Sequence, residues 1–217
     1  IPQMPLDICV ADSQGVIGYM IERMLRNVLT KHKIDKDIVT LISQVVDDKE
    51  DVAFSNPTKR VGKIYNKEQA DKLVKEKGWI FKEEIKDSGS GWRRVVPSPR
   101  PMKIMNAKVI EELANRGTIV IAAGGGGVPV YIDEENNVRP SEAVIDKDLA
   151  SALMGASVNA DEFYILTDVP FVYVNYKKPG EKAIEFLDRT DTIKYLESGM
   201  FGEGNMAPKI RAALEFV

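Results

Sequence analysis

In "ADSQGVIGYMIERMLRNVLTKHK", the apolar residues Ile17, Met20, Ile21, Met24, Leu25 and Val28 recur at helical spacing on one face. This predicts an amphipathic helix from about residue 13 to 31. The period then changes: "DIVTLISQVV" (37–46) is apolar and β-branched and predicts a strand. From Asp47 to Arg94 the texture shifts to charged residues, Pro, Gly and scattered aromatics, with one short helix near "NKEQADKLVKEKG". So long a stretch exceeds a plain connection and predicts an inserted subdomain with little core of its own. Beyond it come helix "NAKVIEELANRG", strand "TIVIAA", four glycines, a "VPVYIDEENNVR" hairpin and helix "SEAVIDKDLASALMGASV". Strand "ADEFYILTDV", the excursion "PFVYVNYKKPGEKAIEFL", helix "TDTIKYLESG" and a helix in "MAPKIRAALEFV" follow. Strands separated by helical patterns imply βαβ units, hence an α/β fold with an open, mainly parallel sheet covered on both faces. The expected division is a core of residues 1–46 and 95–217 with a protruding subdomain, 47–94, inserted in it.

Composition narrows the function. A net charge of −3 and a pI near 5.4 give no footprint for nucleic acid. No apolar run reaches the roughly 20 residues of a membrane span, and no signal-peptide pattern is visible. One cysteine, Cys9, excludes an internal disulfide and a Cys-cluster metal site, and suits a reduced, cytoplasmic setting. The one histidine, His32, sits between Lys31 and Lys33 and reads as a solvated residue near a helix end. A Ser-His-Asp triad, a Cys-His pair and a His-rich zinc site are thereby disfavoured. Any enzyme chemistry is expected to run on lysine, carboxylate and backbone amides, with no metal held by the chain's own ligands.

Three features suit an anion. Gly124, Gly125, Gly126 and Gly127 are followed by Val128 and Pro129, which fits neither a P-loop nor a dinucleotide fingerprint. What remains is a nest of exposed N–H groups for phosphate or another anion, with a tight hairpin as the alternative. In "IDKDLASALM", Asp146 is a natural N-cap and Asp148 suits the first turn, yet Lys147 stands at the helix's positive end, where a cation is disfavoured. Lys209, beside Pro208 in "MAPKIRAALEFV", repeats the anomaly. A lysine next to free helix N–H groups makes sense if both face a bound anion. A fourth feature, "YILTDVPFVYVNY", sets Thr167 and Asp168 at a strand's carboxyl end, where open α/β sheets bind ligands. There Tyr173 and Tyr176 either flank a base or pack down as loop aromatics.

Taken in order, "DSQGVIGYMI", "NPTKRVGKIY", "GWRRVVPSPRP", "IVIAAGGGGVPV", "EAVIDKDLAS", "ILTDV" and "NMAPKIRAALEF" closely resemble the amino acid kinase family in its carbamate kinase branch, over essentially the whole chain. The resemblance implies an open αβα sandwich and a homodimeric enzyme that moves a phosphoryl group between ATP and carbamate with Mg²⁺. It also implies that the enzyme often works toward ATP from carbamoyl phosphate in arginine fermentation. By the same resemblance Asp148 orients the catalytic lysines, Lys147 faces the phosphates, and Lys209 stabilises the moving phosphoryl group. Thr167, Asp168 and Val169 with Met206, and Tyr173 beside them, match the nucleotide-binding segment. Lys59 matches a lysine that the protruding subdomain, as a lid, swings toward the substrate. The family's opening strand with its glycine-rich loop, and its C-terminal strands, are expected to lie outside these 217 residues. "KDSGSGWRR" stands where the family's usual "EDAGRGWRR" carries a further arginine. A non-catalytic nucleotide-binding module, or a kinase for another carboxylate acceptor, are the alternatives.

Overall fold

The computed structural model describes residues 4–86, 89–202 and 206–217. Asp87 and Ser88 of the "KDSGSGWRR" stretch and Asn205 of the last motif lie outside the described residues.

Helix α1 (Leu6–Lys31) begins ahead of the expected Ser13. Its buried residues are Gln14 and Gly18, whereas Ile17, Met20, Ile21, Met24 and Val28 of the apolar face point outward. Close approach explains this orientation. A Cβ at position 18 would lie 2.2 Å from Thr40 Cγ2, so only glycine lets the helix settle here. Polar contacts complete the seam: the Thr40 hydroxyl donates to Glu22 at 2.9 Å, and Arg26 donates to the Ile38 carbonyl at 2.8 Å.

The expected strand 37–46 is two strands, β1 (Ile38–Thr40) and β2 (Gln44–Val46), parted by Leu41, Ile42 and Ser43. The inserted stretch then builds β3 (Lys59–Tyr65), α2 (Lys67–Lys77), β4 (Ile80–Lys86) and β5 (Gly89–Val96). These three strands form an antiparallel sheet in the order β3-β5-β4. Helix α2 carries a capping box between Asn66 and Gln69 and ends on left-handed Gly78, so its ends are closed locally.

The chain returns through β6 (Lys103–Ile104), α3 (Ala107–Asn115), β7 (Ile119–Ile121), β8 (Val128–Ile132) and β9 (Val138–Pro140). Helix α4 (Lys147–Ser157), a ribbon of β10 (Val172–Val174) and β11 (Lys182–Ile184), then α5 (Arg189–Glu197) and α6 (Met206–Phe216) complete it. The central pairings are parallel, β1 with β7 and β2 with β8, and antiparallel β6 and β9 flank the second pair. The Leu41 amide bonds the Ile121 carbonyl at 2.9 Å and the Val128 amide bonds that of Ser43 at 2.8 Å, so one pair passes into the other around the glycine turn. The architecture is α/β, as its alternating pattern requires.

Val45, Ile104, Ile110, Ala123, Ile145, Ala150 and Met154 form the main core beneath the glycine turn and α4. Val174, Phe201, Ala207 and Ile210 form a smaller one between the β10–β11 ribbon and α6. The expected strand 160–169 is not a strand: the segment is irregular, with Tyr164 exposed and Leu166 92% exposed. Its apolar, β-branched pattern is compatible with a ladder, but no described strand pairs with it.

Candidate active site

The charged residues of the site meet at the start of α4. Asp146 caps that helix: its Oδ1 accepts from the amides of Asp148 at 2.9 Å and Leu149 at 3.4 Å. The next residues therefore leave the cap in fixed directions. Asp148 turns inward and is 9% exposed. Its carboxylate accepts from Lys209 Nζ at 3.1 and 3.3 Å and from Lys147 Nζ at 3.2 Å. Lys209 arrives from the first turn of α6, which lies close against α4; a Cβ at Gly155 would sit 2.9 Å from Phe216 Cε2. The side chains of Lys209 and Asp148 are each 11% exposed, whereas that of Lys147 is 60% exposed.

Lys59, from β3 of the inserted sheet, donates to Asp146 Oδ2 at 2.9 Å. Burial alone would raise the Asp146 carboxyl, but the Lys59 ammonium and the two capped amides outweigh it, leaving the carboxyl below its ordinary value. Three lysines thus stand against two aspartates at one helix N-terminus. Such a place favours a further negative charge, because ammoniums outnumber carboxylates there at the positive end of a helix dipole.

The glycine turn lies alongside. Ala123 has a φ of 54°, Gly125 of 77°, Gly126 of 121° and Gly127 of 86°, all in the region that disfavours side chains. A Cβ at Gly126 would fall 2.3 Å from the Ile145 carbonyl oxygen, and one at Gly127 would fall 2.2 Å from Val45 Cγ2. These two glycines are required by the protein's own packing. Gly124 and Gly125 are exposed, with nothing closer than 3.7 Å to a Cβ at the first and open space at the second. Only that half of the turn has room for a ligand.

Two residues that the sequence pattern did not single out hold the turn. Gln14 of α1 accepts from the Ser43 amide at 3.0 Å and donates to the Ser43 carbonyl at 3.3 Å. The Ser43 hydroxyl in turn accepts from the Ala123 amide at 3.0 Å. Asp146 as a partner of Lys59 was equally hidden, because the two are 87 positions apart.

The remaining expected residues are placed less centrally. Thr167 and Asp168 are exposed on the irregular segment, their side chains bonded to each other at 3.3 Å, and Val169 is half-buried beside them. No hydrogen bond or ion pair among the described residues joins them to the lysine cluster. Tyr173, in β10, packs its ring 5.4 Å from that of Tyr176 and 6.3 Å from that of Phe171. Met206 opens α6, one turn before Lys209, and packs on the smaller core.

The α/β fold defines a class of kinase-like proteins, and the chain belongs to the amino acid kinase family, whose pattern matches residues 15–217. Within that family the similarity runs to carbamate kinases. The carbamate kinase of Pyrococcus furiosus is 49% identical over 217 residues, covering all of this chain and 68% of that protein. Carbamate kinase 2 of Staphylococcus epidermidis is 47% identical, covering all of this chain and 69% of that one. Among solved structures, carbamate kinase from Giardia lamblia bound to AMP-PNP superposes with a TM-score of 0.91 at 41% identity, over all of this chain and 67% of that chain.

Proposed function

We propose that this chain transfers a phosphoryl group between ATP and carbamate, forming ATP from ADP and carbamoyl phosphate in the reverse sense. The observation that carries the reading is the buried Asp148 gripped by Lys147 and Lys209 at the N-terminus of α4. Phosphoryl transfer asks little of an acid or base; it asks for alignment and for cations around the charge in flight. Asp148 offsets the repulsion between the two ammoniums and fixes where they stand. Lys209, shielded from water, is the cation placed to follow the moving group, and Lys147 reaches the outer phosphates. Exposed Gly124 and Gly125 offer backbone to a small anion. The segment Thr167, Asp168 and Val169, with Tyr173 and Met206, takes the nucleotide.

Mg²⁺ enters as part of the nucleotide substrate. Among the described residues no group of three or more His, Cys, Asp or Glu side chains is placed to hold a metal, and this ion commonly takes its ligands from substrate phosphates and water. The inserted sheet, within 47–94, acts as a lid that brings Lys59 to the site. The enzyme works as a homodimer in the cytoplasm, in arginine breakdown, toward ATP. The exposed apolar stripe of α1 supports the pairing, and no helix among the described residues is long and apolar enough to cross a membrane.

A coupled assay with ADP, Mg²⁺ and carbamoyl phosphate tests the reading. ATP formation is expected, with Lys209→Ala and Asp148→Ala each losing on the order of 10²–10³-fold in kcat. Wild-type rates in both variants would overturn the site assignment. Tight ADP binding without turnover would favour a non-catalytic nucleotide-binding module, and turnover only with another carboxylate would reassign the acceptor.

A further inference from the structure

Asp146 divides its carboxylate between two tasks. Oδ1 closes the N-terminus of α4 through the amides of Asp148 and Leu149, and Oδ2 holds Lys59 Nζ at 2.9 Å. One side chain therefore fixes the start of the helix that bears Lys147 and Asp148 and grips the lysine delivered by the inserted sheet. A second ion pair spans the same seam: Arg94 of β5 bonds Glu142, four positions before Asp146. Arg94 is itself held from behind, its guanidinium carbon 4.0 Å from the centre of the Trp79 ring. The inserted sheet thus meets the segment 142–146 at two charged points, one of which carries the reactive lysine.

The stability of the fold does not account for the Lys59–Asp146 pair. Its side chains are 36% and 22% exposed, so water still reaches the pair and its contribution to folding is small. Position is the larger effect, because a rate-supporting ammonium must be held near where charge develops. Resting on the phosphotransfer reading above, we infer that Asp146 is the positioning residue of the lid, docking Lys59 beside the lysine cluster so that the closed site presents three ammoniums to the anionic substrate.

The substitution Asp146→Asn separates the two tasks. Asparagine caps a helix about as well as aspartate, so the start of α4 survives while the ion pair is lost. In the coupled assay, D146N is expected to lose roughly tenfold or more in kcat/KM, chiefly through a higher KM for carbamoyl phosphate. Its melting temperature should stay within about 2 °C of wild type, as suits the loss of a weak surface pair. Lys59→Met should show the same kinetic pattern, and D146N/K59M should be no worse than K59M alone. Amide exchange over β3 should quicken equally in both single variants, independently of turnover.

Three results would overturn the inference: wild-type kcat/KM in D146N, losses that multiply in the double variant, or unchanged exchange over β3. A wild-type chain that makes no ATP would sink the phosphotransfer reading instead, and the exchange measurement would still decide whether Asp146 holds the lid.

Discussion

Asp47 shows how one buried group can shape stability. It directly follows β2 at 3% exposure, and among the described residues neither carboxylate oxygen has a well-formed hydrogen bond, the Ser141 hydroxyl being its nearest source of relief. Burial pushes its carboxyl up to about 6, with Asp51 and Asp48 adding repulsion against partial relief from Ser141. The folded-state value lies above the unfolded one. Stability from protonated Asp47 is therefore fully present below about pH 4 and is lost as pH rises through about 6. A shift of this size corresponds to at most about 3 kcal/mol at neutral pH, reduced by whatever solvent screens the group. In Asp47→Asn the group no longer titrates, so the loss of stability that this carboxyl is expected to bring to wild type as pH rises from 4 to 8 should be absent. Scanning calorimetry at pH 4, 6 and 8 measures it; parallel profiles for the two proteins would refute the assignment.

At the scale of elements, the glycine turn separates two kinds of glycine. Gly126→Ala sets a methyl against the Ile145 carbonyl, a backbone atom that cannot move aside, and at a φ of 121°. Gly125→Ala meets open space and bears only the conformational strain. Denaturant titration should find Gly126→Ala destabilised by about 2 kcal/mol or more and Gly125→Ala by about 1 kcal/mol. Equal losses would mean that the turn relaxes around either methyl. The same turn shows what was legible in the sequence. Lys147, Asp148 and Lys209 could be found because a lysine at a helix start is a local anomaly, readable within a few residues. Gln14 with Ser43, 29 positions apart, leaves no local trace, and neither does Lys59 with Asp146. Alternation of strand and helix gave the α/β class. The break at Leu41–Ser43 escaped it because an apolar run looks the same whether or not its pairing passes from one strand to the next. The segment 160–169 read as a strand because residue preference reports a willingness to pair, whereas a ladder also needs a neighbour.

For the whole molecule, the outward apolar stripe of α1 is a feature that the sequence left open. Periodicity located the stripe correctly but could not say which side of the helix meets the sheet. Gly18 and Gln14 decided that, since a small residue permits the closest approach and a buried amide can satisfy the Ser43 backbone. The consequence is an exposed row with Met20 at 54% and Met24 at 55%, flanked by Ile17 and Ile21. Rows of this kind on a folded surface mark contacts with another chain, and a stable dimer covers about 800 Å² on each partner. If the stripe joins two copies across a two-fold axis, each helix meets its own counterpart, so one change acts twice. Met20→Glu/Met24→Glu would then place four carboxylates in one apolar seam, where unpaired charge is strongly disfavoured. Sedimentation equilibrium at tens of micromolar should find wild type as a dimer and the double variant as a monomer with unchanged far-ultraviolet dichroism. A wild type that is monomeric, or a double variant that still dimerises, would show that α1 does not carry the interface.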